Sequence, residues 1–186
     1  MVHNVVSQKL MNQQIKPKYP TYTNKTYKPK IIKKNMEEKE ITRDFISTVF
    51  VVHENRVLLT WNHKVNNWIP IGGHIEKNQL PCFSVIREAK EESNLDIELI
   101  SLNKKSSDNL AQPVNVHLDH IKEDHKHINL TYFAKIKQGS PECLKIDDEG
   151  KELRWFSKED LENNLSLLPN VKEFALEALK SLSENN

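Results

Sequence analysis

The sequence predicts an α/β or α+β domain, because segments typical of strands are interspersed with two or three segments typical of helices. Short runs of β-branched and aromatic residues, such as residues 45–52 and 57–61, are typical of strands. Helical periodicity is clear in residues 81–93 and 171–182. The chain has 186 residues, a length that suggests one domain with an appendage. No internal repeat interrupts this reading.

The strands follow in order along the chain. Residues 45–52 predict a buried strand, Glu54 and Asn55 a turn, and residues 57–61 a second strand. A short apolar run at 68–71 leads to Gly72 and Gly73, and residues 97–102 predict another strand. Residues 127–136 alternate well, with Ile128, Leu130, Tyr132 and Ala134 on one side. Residues 153–156 predict a final short strand.

The helices have unequal end signals. Leu80 precedes Pro81, where Ser, Thr or Asp would cap the helix better, so the first helix is predicted to start poorly capped. Ser157 with Asp160 three residues later is close to a capping box. Asn170 is predicted to precede the last helix, residues 171–182.

Charge divides the chain into two parts. Residues 1–36 hold eight lysines and no acid, whereas the rest holds 19 basic and 26 acidic residues. We therefore predict a basic, disordered extension over residues 1–40 and a folded domain over 41–186. Three explanations of the extension remain open: a passive solvated segment, a weak anion-binding arm, or upstream sequence that is not normally translated, since the chain from Met36 resembles an ordinary protein start.

Composition excludes several classes. The net charge of +1 does not point to nucleic acid or membrane, except through the basic extension. Two cysteines are too few for a disulfide framework, and no run of eighteen apolar residues predicts a membrane span. A cytoplasmic protein is expected.

Three carboxylates share one face of the predicted helix at residues 81–93. At about 100° per residue, Glu88, Glu91 and Glu92 fall within an arc of about 100°, and Ala89, Ser93, Ile86 and Phe83 lie toward the opposite, mostly apolar side. Carboxylates at this spacing repel one another. Two partners can offset the repulsion: a hard divalent cation such as Mg²⁺, and Arg87, which lies one turn before Glu91. A solvated acidic face is the alternative.

The surrounding segment resembles the Nudix box, the signature of the Nudix hydrolase family, GX5EX7REUXEEXGU with U an aliphatic residue. The segment reads GGHIEKNQLPCFSVIREAKEESNL, and Gly73, Arg87, Glu88, Ala89, Glu91, Glu92 and Leu95 match at the required spacing. The resemblance covers roughly residues 43–182. It departs at Gln79, where the family has Glu, and at Asn94, where the family has Gly. Asn tolerates the left-handed conformation expected after the helix, whereas Gln79 loses a negative charge.

The resemblance implies an α/β/α sandwich with a mixed central sheet and a hydrolase that cleaves a diphosphate bond in a small nucleotide-like substrate. It implies Mg²⁺ or Mn²⁺ as cofactor, bound by Glu88, Glu91, Glu92 and the Gly72 carbonyl. Glu88 and Glu91 are the candidate catalytic residues, and Arg87 would hold a carboxylate in place. The reaction would be attack of a metal-activated water on one phosphorus.

Family members often recruit one more acid or histidine from outside the box. Glu123 and Asp124 are candidates, with Glu149 and Glu152 in reserve. His74 and Trp61 are candidate substrate contacts, and Trp61 and Trp68 could stack a base, although core packing of at least one is expected. Residues 117–127 hold four histidines and are predicted to be a polar loop. They could be solvated, contact substrate or, through histidines two apart, bind zinc.

Two other functions stay open on the same fold. A non-catalytic nucleotide-binding module would explain Gln79 but not the retained Arg87, Glu88, Glu91 and Glu92. An isoprenoid diphosphate isomerase would want a cysteine in the pocket, and Cys82 is predicted to face away from the carboxylates. A nucleic-acid-binding protein would explain the basic extension but not the helix. The sequence does not choose among nucleoside triphosphates, ADP-ribose, dinucleoside polyphosphates and capped RNA, or define an oligomeric state.

Overall fold

The computed structural model describes residues 41–101, 110–138, 152–164 and 166–182. Within this part of the chain lie eight strands and three helices. In chain order they are β1 (Thr42–His53), β2 (Arg56–Asn62), β3 (Asn67–Ile69), β4 (Ile71–His74), α1 (Pro81–Ser93), β5 (Ile97–Ile100), β6 (Asn115–Lys122), β7 (His125–Ile136), β8 (Leu153–Ser157), α2 (Lys158–Asn163) and α3 (Pro169–Leu182).

Strand β1 is the centre of a mixed sheet. It runs parallel to β7 over eleven residue pairs, from Thr42–His125 to Val52–Lys135. Its other edge is shared: residues 51–53 pair antiparallel with β2, and residues 46–49 pair antiparallel with β4. Two different strands therefore pair with the same edge of β1. Of these, β4 places Gly72 beside Thr48 and Gly73 beside Ser47.

Side chains of a strand alternate between the two faces of the sheet, and β1 carries apolar side chains on both. Helices therefore cover both faces. Val49 and Val51 of β1 pack in one cluster with Val85 and Ala89 of α1. Phe50 of β1 belongs to the other cluster, together with α3. The α/β/α sandwich with a mixed sheet that the resemblance implied is thus confirmed.

The predicted polar loop at residues 117–127 is wrong. The structure has a hairpin of β6 and β7 there, in register from Asn115–Thr131 to Lys122–His125 with one irregularity. The pattern misleads because the apolar residues of β6, Val116 and Leu118, are exposed, while His117 and Asp119 face a partly buried side. Polar residues on the inner side hide a strand from a reading based on buried apolar alternation.

The helix ends agree with their predicted chemistry in most places. Leu80 gives α1 no side-chain cap, and Asn94 adopts a left-handed conformation with φ 58°. Ser157 and Asp160 form both hydrogen bonds of a capping box. The start of the last helix differs from the prediction, because Pro169 rather than Val171 begins α3. Proline is favoured in the first turn, where its missing N–H costs nothing.

The buried face of α1 also differs in one respect. Phe83 is 59% exposed, whereas Glu92 is buried at 7% exposure. The helix therefore turns one carboxylate toward the protein and one aromatic ring toward solvent.

Residues 1–40 and Glu149 lie outside the described residues, so the predicted extension and that reserve acid have no structural account. Among the described helices, none has the length and apolarity that crossing a membrane requires.

Candidate metal and active site

Helix α1 lies against strand β4, and the closest approach joins Glu88 to Gly73. A Cβ atom added at Gly73 would lie 2.5 Å from Glu88 Oε1 and 2.7 Å from its Cδ. Only glycine leaves the space that the carboxylate occupies. Gly72 is equally constrained on its other side, since its φ is +152° and an added Cβ would lie 2.8 Å from Thr48 Cα. The two glycines thus let the helix carboxylate and β1 both reach the backbone of β4.

Arg87 joins two of the three carboxylates. Its Nη2 donates to Glu88 Oε1 at 2.7 Å and its Nη1 donates to Glu91 Oε2 at 2.7 Å. Nη2 also donates to the His74 carbonyl at 3.4 Å. Burial alone would lower the pKa of Arg87, but the charges and hydrogen bonds of Glu88 and Glu91 raise it above its usual value. The guanidinium therefore stays charged and fixes both carboxylates.

The three carboxylates differ in exposure. Glu88 is 14% and Glu91 57% exposed, and Glu92 is buried. One acid thus faces solvent, and the other two are held close to β4 and the protein interior. The helical wheel predicted one shared face, and the structure divides it into an outer and an inner side.

Gln79 occupies the loop before α1. Its Oε1 accepts from the backbone N–H of Glu76 at 3.2 Å and from Arg87 Nη2 at 3.5 Å. Both contacts need an acceptor oxygen, which glutamine supplies as well as glutamate does. The departure from the family pattern therefore keeps the loop hydrogen bonds and removes only the negative charge beside Arg87.

The donor set fits a hard divalent cation. Glu88, Glu91 and Glu92 offer only oxygen atoms, and they are gathered on one helix beside the backbone of β4. Mg²⁺ prefers oxygen ligands, takes few of them from the protein, and keeps waters and substrate phosphates in its shell. Three carboxylates on one helix, two of them joined by Arg87, match that preference.

The predicted substrate contacts lie in two places. His74 ends β4 and is 61% exposed, with Nε2 3.7 Å from Asp44 Oδ2. Trp61 pairs with Trp68 across β2 and β3, with ring centroids 5.4 Å apart. Trp68 also packs on Phe156 at 5.2 Å, so it is the tryptophan of this pair that belongs to the core, and Trp61 is half-buried outside it.

The candidates for an additional acid that the structure describes are not brought beside α1. Glu123 and Asp124 form the turn of the β6–β7 hairpin, next to Thr42 at the start of β1. Gly73 pairs with Ser47, five residues farther along β1, which corresponds to about 16 Å. Glu152 precedes β8, where its carbonyl accepts from the Trp61 N–H at 2.8 Å. Of these three acids, only Glu152 lies next to the tryptophan pair.

A chain of polar side chains that the sequence analysis did not identify crosses the α3 face of the sheet. Thr48 Oγ1 donates to Asn129 Oδ1 at 2.9 Å, and Asn129 Nδ2 donates to Asp119 Oδ2 at 3.0 Å. His117 stacks on Phe174 nearby, with ring centroids 5.5 Å apart. Thr48 pairs with Gly72, so this chain begins directly beside the glycine pair. Its polar residues alternate along β6 and β7, but the pairing of the strands was needed to bring them together.

A second group lies at the start of β1 and β7, and it joins two histidines of residues 117–127 to an acid that the sequence did not place beside them. Asp44, His125 and His127 place one ligand atom each within 4.8 Å of one another. Burial lowers the pKa of His127, and the neighbouring His74 and His125 lower it further. Histidines two apart on a strand were expected to face the same way, and they do.

Comparison with known proteins gives one match to a family and many to structures. The family model of the NUDIX domain matches residues 43–180. A NUDIX family hydrolase from Clostridium perfringens is 35% identical, with TM-score 0.65, over 76% of this chain and 99% of that chain. An ADP-ribose pyrophosphatase from Streptococcus suis is 17% identical, with TM-score 0.51, over 78% of this chain and 96% of that one. The MutT NUDIX hydrolase from Burkholderia pseudomallei is 22% identical, with TM-score 0.51, over 76% and 99%.

The latter two structures share the fold alone, and the comparison with curated protein sequences finds no match. The family match spans the whole region from β1 to α3 and includes the glycine pair, Arg87 and the three carboxylates. Sequence motif, fold and family match agree, and the chain belongs to the Nudix family of hydrolases.

Proposed function

We propose that this protein hydrolyses a diphosphate bond in a nucleoside diphosphate linked to another moiety, with Mg²⁺ or Mn²⁺ as cofactor. The observation that carries the proposal is the arrangement of Glu88 against Gly73 with Arg87 joining it to Glu91. A non-catalytic binding module need not keep three carboxylates that repel one another. An enzyme that must neutralise phosphate charge through a cation does gain from them.

The chain's own residues would act by holding and orienting. Glu88 and Glu92 would bind the cation on the inner side, together with the Gly72 carbonyl. Arg87 keeps the Glu88 carboxylate against β4 and fixes Glu91, whose exposed carboxylate can accept the proton of the attacking water. When bound, the cation would lower the pKa of that water and neutralise charge on the phosphates. Positioning and charge stabilisation would then supply most of the rate.

The polar chain on the α3 face supports a nucleoside as part of the substrate. Thr48 and Asn129 are buried at 7% and 6% exposure, and they are linked to Asp119. Ligand sites are largely apolar surfaces with a few fixed polar groups, and here the ring pair His117–Phe174 borders such a group. The side chains of Thr48 and Asn129 are held by bonds to one another and to Asp119, and Thr48 lies beside Gly72, so a substrate bound at the glycine pair would meet this fixed surface.

The isomerase alternative has little support from the site. Cys82 is buried at 6% exposure in the cluster between α1 and the sheet, away from the exposed carboxylate. A cytoplasmic location accompanies the proposal, because nucleotide substrates are found there and two cysteines provide no disulfide framework.

The test is a product analysis. Purified full-length protein is incubated with Mg²⁺ and a panel of nucleoside triphosphates, ADP-ribose, dinucleoside polyphosphates, sugar nucleotides and capped RNA, and products are separated by chromatography. We expect mononucleotide or phosphate release from at least one class, abolished in Glu88→Gln. Asn129→Leu should raise KM for that substrate more than it lowers kcat. Nucleotide binding without release of any product over hours would favour the binding module.

A further inference from the structure

The group formed by Asp44, His125 and His127 lies at the end of the sheet where β1 and β7 both begin. Asp44 pairs with His127 in the parallel register, and His125 precedes it by two residues on the same face. The pairing therefore gathers an acid from one strand and two imidazoles from its neighbour. Their ligand atoms all lie within 4.8 Å of one another.

Two of the distances within the group are close to those between ligands of a small tetrahedral ion. His125 Nε2 is 3.0 Å from His127 Nε2 and 3.5 Å from Asp44 Oδ2. Two ligands bound at about 2.0–2.1 Å in tetrahedral geometry are separated by about 3.3 Å. The two distances from His125 bracket that spacing.

The imidazole of His125 is already oriented for such a role. Its Nδ1 lies 2.8 Å from Thr42 Oγ1. With the Nδ1 proton donated to that oxygen, the Nε2 lone pair points to the group. Metal-binding histidines characteristically have their other nitrogen fixed by a hydrogen bond of this kind.

His74 lies beside the group. Its Nε2 is 3.7 Å from Asp44 Oδ2, and its ring lies 4.9 Å from that of His127. The side chain is 61% exposed, which leaves it room to rotate inward. His74 belongs to β4, so a fourth bond from it would connect a third strand.

We propose that Asp44, His125, His127 and His74 bind one transition-metal ion of the Zn²⁺ class. Imidazole nitrogen with a single carboxylate favours Zn²⁺ over Mg²⁺, so this site is chemically distinct from the carboxylates of α1. The ion ties together β1, β4 and β7 at the end of the sheet where β1 and β7 begin. Occupancy stabilises the folded chain, because the unfolded chain does not gather these ligands.

The test uses full-length protein without a histidine tag, with Mg²⁺ in excess to fill the carboxylate site. Calorimetric titration with Zn²⁺ should show one equivalent bound that the Mg²⁺ does not displace. Zinc at a hundredfold excess over its Kd should raise Tm by about 5 °C or more. X-ray absorption of the zinc protein should show two or three imidazole ligands.

Variants separate this site from the others. The double variant His125→Gln/His127→Gln should lose the tightly bound equivalent of Zn²⁺. Asp44→Asn should weaken Zn²⁺ binding at least tenfold. His63→Gln, which changes an exposed histidine away from the group, should bind Zn²⁺ as the native chain does. Glu88→Gln should also keep it, whether or not the protein proves to be a hydrolase. Native-like Zn²⁺ binding by Asp44→Asn and by the double variant would overturn the proposal. So would absence of a bound equivalent or an absorption spectrum without imidazole.

Discussion

The substitution Gly73→Ala isolates the contact between β4 and the Glu88 carboxylate. The backbone of Gly73 is outside the left-handed region, so alanine fits its conformation. The new methyl group, however, would lie 2.5 Å from Glu88 Oε1, 2.7 Å from Cδ and 3.0 Å from Oε2, where ordinary contacts are 3.4–4 Å. The carboxylate must therefore retreat by about 1 Å and give up part of its bond with Arg87 at 2.7 Å.

A misplacement of that size predicts a specific loss. About 1 Å at a catalytic group costs about a hundredfold in rate, which is about 2.7 kcal/mol of transition-state stabilisation. Affinity for Mg²⁺ should fall in parallel, because Glu88 is also a proposed ligand. The free energy of unfolding should change by no more than about 1 kcal/mol, since the neighbour that moves is the end of a flexible side chain.

The assay compares kcat/KM, Mg²⁺ affinity by calorimetry and Tm for the native chain, Gly73→Ala and Gly72→Ala. Gly72→Ala is the contrasting change: its Cβ would meet backbone atoms of β1 at a φ of +152°. It should lower stability by about 2–4 kcal/mol. A Gly73→Ala protein with kcat/KM within threefold of native would refute the assigned position of the Glu88 carboxylate.

Three further predictions test other parts of the account. Glu92→Gln should weaken Mg²⁺ binding at least tenfold by calorimetry, because it removes a buried charge from the ligand set, and equal binding by both proteins would remove Glu92 from the site. Gln79→Glu should raise kcat by up to about tenfold, since one charge-assisted hydrogen bond to Arg87 contributes about 1.4 kcal/mol, and an unchanged or lower kcat would contradict this. A chain starting at Met36 should keep its kcat and Tm, because residues 1–35 show no apolar periodicity, and a loss of several degrees would show that they dock.

Much of the fold follows from patterns that a single sequence displays. The buried strand β1, the helices α1 and α3 and the capping box at Ser157 each follow from local periodicity or end signals. The spacing of Arg87, Glu88, Glu91 and Glu92 likewise predicts the shared helix face. These features depend on neighbours within a few residues, which the sequence shows directly.

What could not be predicted depends on pairing between distant strands. Strand β6 was hidden because its inner side is polar, and the bond between Thr48 and Asn129 joins residues 81 positions apart. The same holds for Asp44, whose neighbours His125 and His127 come from a strand that begins far along the chain. Exposure of Phe83 and burial of Glu92 depend on how α1 is rotated on the sheet, which an averaged helical wheel does not fix.

Hydrolysis in heavy-oxygen water tests directly whether a metal-activated water attacks the diphosphate. The native chain and Glu88→Gln are incubated with Mg²⁺ and the nucleotide that the product panel identifies, and both products are analysed by mass spectrometry. We expect the native protein to incorporate one heavy oxygen into one of the two phosphate products. Glu88→Gln should release neither product, and removing Mg²⁺ with a chelator should stop the native reaction. Equal release by the two proteins, or release that continues without a divalent cation, would contradict a metal-activated water held by the carboxylates of α1.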